Sequence, residues 1–295
     1  MRAPRAGRWF AGAWALAAAT LLAIGEWKQV LMSLALLAGV LVFSALTFAI
    51  TDTPPFPRWE APRDRRRLGI QTAIVLGVIA LTGYSALAFH GVISRAAGQV
   101  PLWRPMVEWV GRLGERALPP GAAGSPFLAV SNPFQYFVVP MAALLLAGAK
   151  PRDLGLTLGH RTWRVTALWC AIPVIFGFFA FVLLTGYGVT ARDLGRRVLS
   201  NTFQNGFFEE FLFRGALQTR LAALYGSPIA LVAQALLFGL WHLGADVHSR
   251  DGNVVAGLAA TIVVQGTSGL GLGVIFERTR SLIAPSIVHV VSNCL

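Results

Sequence analysis

The sequence predicts an all-α fold: a polytopic membrane helix bundle of about eight or nine transmembrane helices, with its active site buried near the bilayer midplane. Three observations carry this. Hydrophobic residues make up 55% of the 295-residue chain and charged residues only 13%, with mean hydropathy +0.62, whereas a soluble chain carries about a quarter charged residues. Apolar runs of about 17–25 residues, enough to cross a hydrocarbon core, recur along nearly the whole length. Lys and Arg collect in the short stretches between those runs, as the positive-inside rule requires. The net charge of +12 therefore reflects membrane orientation. The expected partner is the lipid bilayer, and nucleic acid is not expected.

The elements follow in order. Arg2, Arg5 and Arg8 precede an apolar run from Trp9 to Ile24, and a second run, Gln29 to Ile50, follows almost at once. The pair reads as an uncleaved transmembrane hairpin, 1–50, rather than a signal peptide. Pro54, Pro55, Pro57 and Pro62, followed by Arg63, Arg65, Arg66 and Arg67, mark a cytoplasmic loop. A third span runs from Leu68 to Ile93. In the connection after it, Leu102, Met106, Trp109, Val110, Leu113 and Ala117 recur at three- and four-residue spacing, with Arg104, Glu108, Arg112 and Glu115 between them. That is an amphipathic helix at the interface or capping the bundle, and it belongs to a middle region, 51–149. A fourth span, Phe127 to Ala147, is kinked at Pro133 and Pro140. The remaining region, 150–295, holds a basic loop, a fifth span from Trp163 to about Gly188, and four closely spaced helices: Ser200–Leu224, Pro228–Leu243, Val254–Phe276 and Ser281–Leu295.

Charge inside this apolar background is costly: a charged side chain at the bilayer centre costs about 2.5–3.5 kcal/mol on the lenient insertion scale. Phe207-Phe208-Glu209-Glu210-Phe211-Leu212-Phe213-Arg214 places three such groups in one span. Neighbouring residues on a helix point about 100° apart, so Glu209 and Glu210 cannot share a role. Glu210 and Arg214 have the favoured acid-first, four-residue spacing of a helical pair, which leaves Glu209 free for chemistry. On the next helix Phe238 and His242 share a face, and on the last His289 and Asn293 do.

At 1.5 Å per residue, Glu209 lies roughly 16 Å from Arg220, His242 roughly 21 Å from Pro228 and His289 roughly 12 Å from Ser281. If the helices alternate, these three reference ends lie on one side, and the three side chains fall in one layer. A carboxylate and two imidazoles there fit two chemistries. Glu209, His242 and His289 could hold a divalent metal such as zinc. Alternatively Glu209 acts as a general base on water with His242 beside it, while His289 and Asn293 donate to an oxyanion. Both lead to amide hydrolysis, and on the favoured version no cofactor is required. Cys170 and Cys294 have no metal-ligand or nucleophile spacing. His248 is expected in solvent; His90 and His160 are expected to be structural.

Glu-Glu-x-x-x-Arg at Glu209–Arg214, Phe-x-x-x-His at Phe238–His242 and His-x-x-x-Asn at His289–Asn293 resemble, in type and order, the motifs of the CPBP glutamic-type intramembrane proteases. That group contains the type II CaaX prenyl endopeptidases and bacteriocin-processing or self-immunity proteins. Phe276-Glu277-Arg278-Thr279, and Arg152-Asp153-Leu154-Gly155-Leu156 upstream, are similar to the group's closing and preceding segments. The resemblance covers about 150–295. It implies an intramembrane endopeptidase in which Glu209 and His242 activate water, His289 and Asn293 stabilise the oxyanion, and Glu210, Arg214 and Phe238 support the site. Its substrate would be a peptide or protein with a C-terminal or transmembrane segment. A non-catalytic scaffold, such as an immunity factor or a transporter-like binder, is the alternative. The expected location is the bacterial cytoplasmic membrane. With the N-terminus inside, 15 Lys and Arg fall inside and 9 outside. That places the N-terminal end of the Glu209 helix outside, whereas the CaaX endopeptidases are understood to work from the cytoplasmic side.

Overall fold

In a computed structural model of the protein, described over residues 3–51, 64–119, 124–184 and 190–294, every regular element is helical. The elements are α1 (Ala3–Ala23), α2 (Trp27–Ile50), α3 (Arg65–Phe89), α4 (Trp103–Ala117), α5 (Pro126–Pro133), α6 (Val139–Leu146), α7 (Thr162–Leu184), α8 (Ala191–Asn201), α9 (Phe207–Glu210), α10 (Thr219–Tyr225), α11 (Ser227–Trp241), α12 (Leu243–His248), α13 (Val254–Ala260), α14 (Thr267–Thr279) and α15 (Ile283–Cys294). Residues 52–63 of the proline-rich loop expected over Thr51–Arg67, the end of the fifth span after Leu184, and Leu295 lie outside the described residues, and Arg65–Arg67 of that loop already belong to α3.

Among the described residues four helical stretches are long and apolar enough to cross a membrane: Trp27–Ile50, Arg65–Phe89, Pro126–Leu146 and Val254–Thr279. Ser227–Trp241 and Ile283–Cys294 are apolar but shorter. The protein is an integral membrane protein by this measure, with fewer full-length spans than the eight or nine expected.

Two of the four long stretches, Pro126–Leu146 and Val254–Thr279, are irregular inside. Several spans are interrupted by π-helical turns, where a backbone N–H reaches one residue further back and the helix widens. Pro133, whose ring nitrogen has no hydrogen to donate, is followed by one at Phe134–Val138. Thr261–Gly266 joins α13 to α14 in the same way. The expected span Ser200–Leu224 is part of a continuous helical run, Ala191 to Tyr225, in which Thr202–Gly206 and Phe211–Gln218 are π-helical. The polar stretch Arg192–Arg197 therefore begins a helix instead of preceding one. A capping box starts it: Asp193 N–H donates to the Thr190 hydroxyl oxygen, and Thr190 N–H donates to the Asp193 carboxylate. The donated Thr190 hydroxyl and N–H hold the Asp193 carboxyl below its usual range.

Close packing depends on missing side chains. On α14, Gly269 and Gly273 bring its backbone against α11, where a Cβ on Gly273 would lie 2.4 Å from Gln234 Nε2, and Gly271 on the other side admits Trp169 of α7 and Val40 of α2. The α1–α2 hairpin closes one flank, where Trp14 Nε1 donates to Thr267 Oγ1 at 3.1 Å. The amphipathic segment does form a helix, α4, seated on α5 through Gly111 and Gly114. Its apolar face is split: Val110 is buried, whereas Leu102, Met106, Trp109 and Leu113 point outward, Trp109 being 63% exposed. Arg104, Glu108, Arg112 and Glu115 face an internal chamber instead.

A Cβ on Gly114 would lie 2.3 Å from the Pro126 carbonyl oxygen, which cannot move aside as a flexible side chain can. Gly114→Ala is expected to destabilise the protein by about 1–3 kcal/mol as an overpacked contact. Thermal unfolding in detergent checks this: an unchanged Tm would show that α4 does not seat as described.

Candidate active site

The two carboxylates sit on α9, a single α-helical turn held between two π segments. Gly206 before it has an unusual backbone (φ −16°, ψ −91°), and a Cβ there would lie 2.5 Å from the Val290 side chain. Close approach of α15 at this point brings His289 onto α9. Glu210 is fully buried, and its Oε1 accepts from Arg214 Nη1 at 3.0 Å and from His289 Nδ1 at 2.7 Å. Arg214 is fully buried as well. Its Nη2 donates to the Gly269 carbonyl at 3.2 Å, and its guanidinium lies 4.3 Å above the Phe238 ring. A planar guanidinium can satisfy carboxylate, carbonyl and aromatic face together, which a lysine ammonium cannot. Phe238 also packs edge-on against the His242 ring, with centroids 4.6 Å apart.

His242 is where α11 ends. Its backbone N–H turns to the Gly239 carbonyl, and its ring Nδ1 takes the Phe238 carbonyl at 2.8 Å. The side chain thereby satisfies a carbonyl that the end of the helix would otherwise leave orphaned. Carbonyls and ionised carboxylates only accept, so both Nδ1 atoms donate: His242 to the Phe238 carbonyl and His289 to Glu210. Each ring then presents Nε2 to Glu209. The Glu209 Oε2 atom lies 3.6 Å from His242 Nε2 and 3.9 Å from His289 Nε2. Both separations exceed a direct hydrogen bond.

Six of the seven residues expected at the site thus meet: Glu209, Glu210, Arg214, Phe238, His242 and His289. Asn293 pairs elsewhere: it is exposed, and its Nδ2 donates to Asn201 Oδ1 at 3.3 Å across the α8–α15 junction. Among the described residues no group of three His, Cys, Asp or Glu side chains is gathered so as to hold a metal ion.

Glu209 and His242 open into a chamber of about 900 Å³. Its wall brings in residues that spacing did not single out: Tyr136, Asn132, Gln135, Gln204 and the ionic face of α4. His90, expected to be structural, is also in this wall, its ring 5.6 Å from that of His248. His248 is exposed, as expected. Only long-range packing joins these positions, so no local pattern could have revealed them.

Arg214→Met would leave Glu210 buried without its cation and is expected to cost about 3–5 kcal/mol. Glu209→Gln removes a charge that makes no direct hydrogen bond to Arg214 or to either imidazole, so it is expected to leave the melting temperature close to wild type. Similar Tm values for the two variants would refute this division of roles.

Comparison with curated proteins and with solved structures finds no match. A family model does match, beginning at Asp193 in the α8 capping box, so the upstream segment 150–192 lies outside it. Residues 193–295, which supply both carboxylates, both histidines, Arg214 and Phe238, match the type II CAAX prenyl endopeptidase family, Rce1-like, and this is the CaaX-protease group that the chain resembles.

Proposed function

We propose that the protein is an intramembrane endopeptidase that hydrolyses a peptide bond with water activated by Glu209 and His242. The observation that carries this is the convergence of two imidazole Nε2 atoms on Glu209 Oε2, with both Nδ1–H groups committed elsewhere. The family match to a group of endopeptidases supports it independently.

The steps follow from the hydrogen-bond roles. The attacking water donates one hydrogen to the Glu209 carboxylate and the other to the His242 Nε2 lone pair. That leaves an oxygen lone pair for the scissile carbonyl carbon. Glu209 takes the proton as the C–O bond forms, giving a tetrahedral oxyanion. His289, protonated on Nε2 as well as Nδ1, donates to that oxyanion, and the Glu210 carboxylate balances the imidazolium much as the aspartate does in a serine-protease triad. Protonated Glu209 then delivers its proton to the leaving amine as the C–N bond breaks. Glu210 and Arg214 hold His289, and Phe238 packs between the two imidazoles and the guanidinium. Asn293, paired with Asn201, positions the end of α15. No step passes through a metal. The substrate is a membrane-associated or C-terminally anchored polypeptide, and the setting is the bacterial cytoplasmic membrane.

Membrane proteomes of cells carrying wild type, Glu209→Gln or His242→Ala test the reading. A cleavage product present with wild type is expected to fall about 10²–10⁴-fold with either variant, the usual contribution of a general base. Product retained by both variants would rule out the site. His289→Ala is expected to lose about 10²–10³-fold, as for a single oxyanion donor, and Asn293→Ala markedly less. Undiminished cleavage by purified protein after verified metal removal is the expected outcome of chelation; loss restored by added zinc would overturn the metal-free route.

A further inference from the structure

The bundle has two chemically different ends, and the chamber opens at only one of them. At the first end, Arg67 Nε donates to the Ala147 carbonyl at 2.7 Å, Arg278 Nε to Thr51 Oγ1 at 2.8 Å and Arg220 Nη1 to the Asp153 carbonyl at 3.1 Å. Arg161 donates to the Ile50 carbonyl, and Ser281 Oγ to the Thr157 carbonyl, at this same end. These contacts gather Thr51, the start of α3, the 147–161 connection and the α14–α15 turn, the end that carries the larger share of Lys and Arg, against α4, α8 and Arg250 at the other.

The second end is built by other contacts. Asn132 Nδ2 donates to the Gln204 carbonyl at 2.9 Å, Arg250 Nη2 approaches Gln29 Oε1 at 3.5 Å, and the His90 and His248 rings adjoin. The chamber is lined from this end alone: by the last turn of α3, by Arg95, by the ionic face of α4, by the first turns of α5, by Gln204 and Asn205, and by the Trp241–Ala245 corner.

The positive-inside rule puts the arginine-rich end in the cytoplasm. It follows that the mouth faces the other way. The lining also indicates what enters. The Arg104–Glu108–Arg112 ion pairs (2.8 and 3.4 Å), whose side chains are partly exposed along the chamber, would lose water without gaining partners if an apolar transmembrane helix filled the space. A hydrated, extended segment can hydrogen-bond to them with its own backbone. The outward Leu102, Met106, Trp109 and Leu113 would meanwhile anchor α4 in the interface beside the mouth.

We infer that the chamber over Glu209 is a water-filled vestibule open to the non-cytoplasmic face, and that its substrate is a polar, extended segment of a polypeptide already exported across the membrane. The substrate class rests on the endopeptidase reading; the direction and wetness of the mouth do not.

The test uses the full chain in a Cys170→Ala, Cys294→Ala background, in right-side-out spheroplasts, with a small membrane-impermeant charged thiosulfonate. This reagent needs a hydrated thiolate. Ser249→Cys at the chamber end and Asn205→Cys in the chamber wall are expected to react with spheroplasts intact. Arg152→Cys at the opposite end is expected to react only after lysis. Arg104→Cys replaces Asn205→Cys as the wall probe should the latter not accumulate. Reaction of Arg152→Cys in intact spheroplasts, alone or together with Ser249→Cys, would overturn the orientation. Reaction of Ser249→Cys with a silent wall probe would overturn the wet vestibule. Neither outcome bears on whether Glu209 is required for cleavage, which the proteome comparison reads separately.

Discussion

One buried carboxylate oxygen holds the site together. Glu210 Oε1 accepts from Arg214 on its own helix and from His289 on α15. Removing a carboxylate and a guanidinium from water is expensive, and their attraction offsets the cost only when the remaining donors and acceptors are also satisfied. Arg214 meets part of that condition through the Gly269 carbonyl and the Phe238 face, while its Nε and Glu210 Oε2 stay buried without a hydrogen-bond partner among the described residues; the contacts draw α14 and α11 onto the same helix. His289 is thereby fixed in ring orientation and tautomer, and Phe238 in turn packs against His242. Four segments are tied through one anion.

The division of labour between the adjacent glutamates follows from this constraint. Glu210 spends its hydrogen-bonding capacity on structure. Glu209, one residue earlier, points away from Arg214 and meets only the two imidazole Nε2 atoms and the chamber. The π-helical segments on either side of α9 change the rotation between successive turns. They let the same short stretch face the packed interior with one carboxylate and the vestibule with the other. Helix ends do comparable work at His242, where termination of α11 frees the Phe238 carbonyl that holds the ring.

The family-matched segment supplies the reactive groups, but most of the chamber wall comes from elsewhere. Tyr136, Asn132, the end of α3 and the polar face of α4 all precede the match, which begins at Asp193. The chemistry and the access route therefore have separate origins in the chain. Variation in the first half would alter what reaches Glu209 without altering how it acts.

Much of this was legible in the sequence. The apolar runs imposed helices because nothing else satisfies backbone polar groups in lipid. The spacing of Glu210 and Arg214 foretold their ion pair, and the three ordered motifs named six residues that do meet. The amphipathic period of 102–117 identified α4, but a period cannot say which face looks inward; only packing on α5 through Gly111 and Gly114 decided that its charges line the chamber. Tertiary structure also gave Asn293 a partner outside the cluster, Asn201 on α8, which a helical face shared with His289 does not disclose. Which spans were interrupted by π turns was equally hidden, because a π turn reflects how neighbouring helices pack and leaves no composition of its own. Local chemistry determined the reactive groups; the bundle determined which of them share a site and from which end it is reached.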